Sequence, residues 1–243
     1  MKILGNPDTV MYIGFDTIEQ TGIAQAGYTL KCDWSYRLIA HEIGIRPEMT
    51  VHTKETHTCN VKKVTSSDGG EGTLRPSSPL DIDGVVTDEP GFALCMIMSD
   101  CAAIYIVDPV KRCIGLAHSG RRGTEGNIAA ATVKKLSECY GTDPGNTVAA
   151  ISPCICRNCY EVDVLTAQKY ASCFKKEWQS DIMWEQNGRY FLDIASTIRL
   201  QLKEAGIQQI QMPDYCTCHN DYFFSYRSGD DDSNAAWLVL NEQ

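Results

Sequence analysis

Four short apolar runs in the middle of the chain, residues 93–98, 103–107, 113–117 and 147–151, carry no polar face. Turn-forming residues bound each of them, which marks strands rather than helices. A strand that is apolar on both sides must be covered on both sides, so helices or a second sheet have to lie against it. Helical spacing supplies such cover in four places. Residues 35–42 precede Gly44, and residues 127–140 end at Gly141 with Pro144 beyond. Residues 163–177 repeat Val164, Leu165, Tyr170 and Phe174, and residues 193–205 carry Ile194, Ile198 and Leu202 on one stripe before Gly206. A last apolar run, 235–240, predicts a closing strand. Strands and helices mixed in this way, with a local hairpin, indicate an α/β or α+β fold.

Two segments read as loops. Residues 65–79 are crowded with Gly, Ser and Pro, and residues 228–233 are acidic and solvated. Neither breaks the apolar pattern, so a single domain over 1–243 is expected. The 243 residues, 43% hydrophobic, suffice for a large core. The 31 acidic residues outnumber the 22 basic ones, for a net charge of -9. That balance argues against a nucleic-acid partner, which needs clustered Lys and Arg. The first residues show no secretory signal, and no stretch approaches the roughly 20 apolar residues of a membrane span. A cytoplasmic protein with no membrane partner is therefore expected, and its 12 Cys point to metal binding, catalysis or packing rather than disulfides.

One predicted hairpin brings chemistry together. Asp108-Pro109-Val110-Lys111 is a good turn, with Asp at its first position and Pro at its second. With Asp108 opposite Lys111, antiparallel pairing sets Cys101 opposite His118, with Cβ atoms roughly 5 Å apart. A bulge at the turn would shift this register by one. The residues leave open a bland reading, a buried thiol and a core histidine that share a sheet. Beyond His118, Ser119-Gly120-Arg121-Arg122-Gly123-Thr124 leads into the 127–140 helix. A glycine-containing loop opening a helix, with two arginines, is an anion site in the making, suited to phosphate. A third ligand comes from 51–64, where His52 and His57 compete and spacing does not choose. One Cys and two His would leave a coordination position open, as in a catalytic zinc site. Cys154-x-Cys156-x-x-Cys159 and Cys216-x-Cys218-His219 could jointly hold a second metal.

At these residues the chain resembles the YfiH-like proteins, also called the laccase-domain or polyphenol oxidase family. Ser99-Asp100-Cys101 is similar to the family's Ala-Asp-Cys, and His118-Ser-Gly-Arg-Arg-Gly123 to its His-Ala-Gly-Trp-Arg-Gly. The segment 151–162 is similar to the one ending Cys-Cys-Tyr-Glu-Val, and 216–227 to the one ending Phe-Phe-Ser-Tyr-Arg. Glu55-Thr-His-Thr-Cys-Asn-Val61 is similar to Gln-x-His-x-x-x-Val and selects His57 over His52. The resemblance implies an α+β fold, a layered α/β/β/α sandwich with mixed sheets, shared with a toxin domain that uses a Cys–His pair for deamidation. It implies a metal-binding and catalytic set of His57, Cys101 and His118.

The chain departs from the family pattern in four places. Arg121 stands in place of Trp, Glu55 in place of Gln, and Ser233-Asn234 in place of Gly-Arg; the N-terminal Arg-x-Gly-Gly-x-Ser is missing. The leading expectation is a zinc enzyme of purine nucleosides that splits adenosine or inosine with phosphate, with adenosine deamination as a further activity. Its substrate-binding residues are expected to be Arg121, Arg122, Asp100, Tyr226 and Arg227, with Tyr160 and Glu161 as weaker candidates. The alternative is a copper-dependent, laccase-like oxidase of phenols, although 5 His are too few for an ordinary four-copper centre. A further alternative is a hydrolase with Cys101 as nucleophile and His118 as base.

Overall fold

The structure is a computed structural model describing residues 2–78 and 80–242. Along the chain run β1 (Lys2–Gly5), β2 (Met11–Gly14), α1 (Asp16–Glu19), β3 (Ala24–Thr29), α2 (Tyr36–Glu42), β4 (Thr50–His52), β5 (Val61–Lys63) and β6 (Gly84–Thr87). Then follow β7 (Ala93–Met98), β8 (Ala102–Asp108), β9 (Cys113–Ser119), α3 (Arg121–Glu125), α4 (Ile128–Tyr140), β10 (Val148–Ile151) and β11 (Glu161–Val162). The chain closes with α5 (Val164–Ser172), α6 (Gln179–Ile182), β12 (Met183–Gln186), β13 (Arg189–Leu192), α7 (Ile194–Glu204), β14 (Gln209–Gln211) and β15 (Asn234–Leu240).

Two six-stranded mixed sheets, in the orders β1-β2-β3-β15-β7-β4 and β14-β10-β8-β9-β6-β5, form the frame. Strand periodicity explains how they stack. In β8, Ala103, Tyr105 and Val107 point into a core shared with Leu94 and Met96 of β7 and Leu238 of β15. The alternate residues Ala102, Ile104 and Ile106 point the other way, onto Ile128, Val133 and Leu136 of α4 and Ile198 and Leu202 of α7. On the far side of the first sheet, Ile39 of α2 packs with Cys95 and Trp237. Helix, sheet, sheet and helix therefore stack in that order, the layering that the apolar runs require. A small three-stranded sheet, β11-β13-β12, lies outside the two main ones.

Capping fixes the helix starts where the sequence places them. Side chains of Ser35, Asn127, Asp163 and Asp193 accept from the backbone N–H of Leu38, Ala130, Thr166 and Ser196. The helix expected to reach residue 177 stops at Ser172. A 3-10 turn over Lys176–Trp178 follows, and the Phe174 ring lies 4.8 Å from that of Tyr170 and 6.4 Å from that of Trp178.

The loop expected at 65–79 is tied down over its described residues. Thr65 and Asp68 form a reciprocal cap, Lys62 pairs with Asp68, and Glu71 is buried with its carbonyl accepting from His52 N–H. Pro79 lies outside the described residues. The acidic loop is likewise anchored, by Lys31 on Asp230. No helix among the described residues is long and apolar enough to cross a membrane.

Candidate active site

The hairpin predicted from Asp108-Pro109 forms, with a different register. Asp108 pairs with Cys113, and Ala103, not Cys101, lies opposite His118. The loop is longer than a two-residue turn for a local reason. Asp108 Oδ1 accepts from both Val110 N and Lys111 N at 2.9 Å, and Arg112 takes a left-handed φ of 51° to re-enter the sheet. The slip is two residues, so side chains keep their faces. His118 and Cys101 still share the inter-sheet side of β8 and β9, at the end where the sandwich opens.

The position opposite Cys101 in this register is Gly120, where any side chain would crowd the centre. A Cβ at Gly120 would sit 2.7 Å from Cys101 Sγ and 2.7 Å from His57 Cδ2. The space is taken by His57, carried on a loop with a left-handed φ of 66°, uncommon for a residue with a side chain. Cys101 Sγ lies 3.8 Å from His57 Nε2, and the two imidazole rings of His57 and His118 meet edge to face at 4.8 Å. His57, Cys101 and His118 present one ligand atom each, all within 4.8 Å of one another. His52 is elsewhere: its Nε2 is 2.8 Å from Glu55 Oε2 and its ring lies over Tyr36.

A residue that sequence reasoning missed organises this centre. Asp83 is fully buried. Its Oδ1 accepts from His118 Nδ1 and from His57 N, each at 2.9 Å. Its Oδ2 accepts from Thr58 N and Thr58 Oγ1 at 2.7 Å and from Thr56 N at 3.2 Å. Its own carbonyl accepts from His118 N at 2.7 Å. One carboxylate thus shapes the loop bearing His57 and fixes the tautomer of His118, leaving Nε2 free to face Cys101. Burial alone would raise the Asp83 carboxyl; bonds from His118, Thr58 and His57 outweigh it and hold the group well below the usual carboxylate range. Burial likewise opposes charge on Cys101 and His118. Hydrogen bonding between them, with His57 and Asp83, reverses both effects, so the thiol falls to about 7 and the imidazole rises to about 10.

The centre floors a cleft of about 660 Å³ whose walls include Ile97, Asp100, Arg121, Tyr160, Tyr226 and Arg227. That volume suits a small-molecule ligand. A smaller recess of about 200 Å³ adjoins it, bounded by His57, Cys101, Arg121, Arg122 and Tyr160.

The expected anion loop takes another form. Residues 121–125 are a short helix in their own right, and Asn127, not the glycine loop, caps α4. Backbone N–H groups of α4 therefore do not converge on the centre, and the cationic character of the recess rests on the two arginines. Arg121 is paired with Glu125. Asp100, with φ of 71°, accepts from Thr217 Oγ1, Ser225 Oγ and Arg227 N, and so ties the 217–227 segment to the Cys101 strand end. Arg227 spends its guanidinium on the carbonyls of Cys159 and Glu161, while Tyr226 stands 80% exposed at the rim. Glu161 binds Arg189 outside the cleft.

Residues 29–237 match a family described as multi-copper polyphenol oxidoreductase laccase. The chain belongs to this YfiH-like family. It is 34% identical to the purine nucleoside phosphorylase YlmD of Geobacillus stearothermophilus over 197 residues, covering 79% of this chain and 71% of that one. It is 30% identical to the purine nucleoside phosphorylase SCO2081 of Streptomyces coelicolor over 190 residues, covering 78% and 74%. The crystal structure of YlmD from Geobacillus stearothermophilus superposes with a TM-score of 0.87 at 28% identity, covering 99% of both chains. The Bacillus licheniformis hypothetical protein YfiH gives the same TM-score at 24% identity over 98% and 99% of the chains, which speaks to the fold. The family description and those of the two purine nucleoside phosphorylases are of enzymes, so the family is an enzymatic one, and the donor set of this chain fits a bound metal.

Proposed function

We propose that this YfiH-like chain is a metal-dependent purine nucleoside phosphorylase, with zinc held by His57, Cys101 and His118. The observation that carries the reading is the convergence of these three side chains, braced by Asp83, between a nucleoside-sized cleft and a recess edged by Arg121 and Arg122. The donor set suits zinc: one thiolate and two imidazoles, with a carboxylate behind one of them and room for another ligand. When bound, the metal supplies Lewis acidity at the junction of cleft and recess.

The chain's own residues account for the rest. Arg122 and Arg121 neutralise phosphate in the recess, so that one phosphate oxygen faces the ribose C1′. A bond forms from that oxygen to C1′ as the bond from C1′ to the purine nitrogen breaks, and the electron pair leaves with the base, which takes up the proton that the hydrogen phosphate gives up. Tyr160 and Tyr226 offer aromatic surface for the base. Asp100 acts on Cys101 at a distance, by fixing the backbone turn from which the thiol projects. Adenosine deamination in the same cleft is the further activity; a metal held by His57, Cys101 and His118 would supply the acidity that lowers the pKa of a water there.

The test is incubation of purified protein with inosine or adenosine, with and without phosphate, alongside metal analysis. Phosphate-dependent release of base and ribose 1-phosphate by zinc-containing protein is expected, with both zinc and turnover falling in Cys101→Ser. Base release that ignores phosphate sinks the reading. The family description keeps one rival in view, a copper-dependent phenol oxidase; copper-loaded protein oxidising a phenol while inert to nucleosides would select it.

A further inference from the structure

A second cluster of soft ligands lies on the other side of the cleft wall. Cys156 and Cys159 sit in a tight turn in which Cys156 O accepts from the N–H groups of both Cys159 and Tyr160 at 3.0 Å. A parallel backbone β-bridge pairs Cys154 with Cys216, both free thiols, and Thr217 N donates to Cys154 O at 3.2 Å, which lays the 216–219 segment beside that turn. Cys216 Sγ accepts from Cys156 N at 3.2 Å. His219 Nδ1 lies 3.6 Å from Cys156 Sγ. Ligand atoms of Cys156, Cys159, Cys216 and His219 all fall within 4.8 Å of one another.

We propose that Cys156, Cys159, Cys216 and His219 bind a structural zinc ion that pins the two segments behind the cleft. Tetrahedral zinc with bonds of about 2.3 Å to sulfur and about 2.0 Å to nitrogen requires neighbouring ligand atoms about 3.5–3.8 Å apart. The Cys156–His219 separation already matches that edge, and the others need only small side-chain rotations. Three thiolates and an imidazole are a closed set for zinc and a poor one for hard cations such as magnesium or calcium. Cys154 is excluded by its burial in the helix-side core. Cys218 also hydrogen-bonds the Cys159 thiol, but it falls outside the four-residue group and its Sγ lies 3.5 Å from the Ser228 hydroxyl.

The site has a structural consequence. Tyr160, which lines the cleft, directly follows Cys159, and Cys159 O accepts from Arg227 Nη1 at 2.7 Å. Thr217, next to Cys216, donates to Asp100 beside Cys101. Metal here links the 154–161 and 216–227 segments, which between them supply Tyr160, Tyr226 and Arg227 to the cleft. This inference stands apart from the proposed reaction, because the ligands are different residues.

Zinc content of full-length protein purified under reducing conditions tests it, in a Cys101→Ser background that weakens the first site. One zinc per chain is expected to remain, and to be lost in Cys101→Ser/Cys216→Ser. His219→Ala, which removes an exposed side chain and leaves the core intact, guards against misfolding; its remaining zinc should leave to a chelator at least tenfold faster. Cobalt in the Cys101→Ser protein should give intense tetrahedral visible bands and thiolate-to-cobalt charge transfer. Absence of zinc and of that charge transfer in Cys101→Ser overturns the proposal. So does a disulfide among these cysteines found by mass spectrometry of the freshly purified protein, or zinc released by Cys218→Ser but not by His219→Ala.

Discussion

Asp83 Oδ1 and His118 Nδ1 are 2.9 Å apart in a pocket closed to solvent, and this bond orients the imidazole whose other nitrogen faces Cys101. Asp83→Asn keeps the shape but presents either a carbonyl without charge or an N–H against the His118 N–H. Loss of such a supporting carboxylate typically costs about 10- to 100-fold in metal affinity. Chelator competition should show a loss of that size for Asp83→Asn, with turnover falling in parallel at limiting zinc. Unchanged affinity would mean that the carboxylate only shapes the loop.

The same pair gives the chelator-treated protein a pH-dependent stability. The folded-state value of His118 is raised to about 10. Its contribution is therefore complete below the unfolded value of about 6.5 and is lost as pH climbs through about 10. The folded-state value of Asp83 is depressed, so its contribution is present above about 4 and disappears as pH falls further. Urea midpoints of metal-free protein, read as the difference between wild type and His118→Gln, should shrink steadily from pH 6.5 to 10. A difference independent of pH over that range would refute the charged pair.

Cys101 should be the most reactive thiol of the metal-free protein near neutrality. Its thiol is lowered to about 7, whereas burial pushes Cys113 up to about 11 and Cys95 and Cys154 up as well. Thiolate is the alkylated species. Iodoacetamide labelling followed by mass spectrometry should give a half-maximal rate for Cys101 near pH 7, and zinc should protect it. A midpoint near the ordinary thiol value would show that the two imidazoles do not act on the sulfur.

The arginines divide the substrates between them. If the recess holds phosphate, Arg122→Ala loses one charge-assisted contact, about 1.5–3 kcal/mol, and raises the phosphate KM at least about tenfold. The nucleoside KM should move little. Arg121→Ala should have the smaller effect, because Glu125 already shares its charge. Equal changes in both KM values would place phosphate elsewhere.

Much of this architecture was legible in the apolar runs. Buried strands β7 to β10 and β15 have no polar face, and helix ends are written in Ser35, Asn127, Asp163 and Asp193. The strands β1 to β6 were not, because they run only three to six residues: β1 and β5 bury none of theirs, and even the fully buried β6 offers four residues to a pattern. In the site, the family pattern carried His57, and the shared hairpin carried Cys101 and His118, even though the register depended on an Asp108 side-chain turn that composition does not reveal. Asp83 left no mark: a single acid before Gly84 looks like any turn residue, and its partners lie 25 to 35 positions away.

Gly120→Ala probes the convergence most directly. The backbone there, at φ of -83°, is open to alanine, so the exchange adds no backbone strain and removes freedom from the unfolded chain. What it adds is a methyl group 2.7 Å from Cys101 Sγ and 3.1 Å from His57 Nε2. Those contacts are too close to persist, and His57, on an exposed loop, is the side that yields. Metal-free Gly120→Ala should therefore unfold within about 1 kcal/mol of wild type, while its affinity for zinc at this centre falls at least tenfold and phosphorolysis falls with it. Measured against Cys156 and its partners left intact, the loss should be confined to one of the two metal ions. An alanine variant that binds zinc as tightly as wild type would mean that the imidazole of His57 does not close on the sulfur of Cys101, and the three-ligand centre would be lost with it.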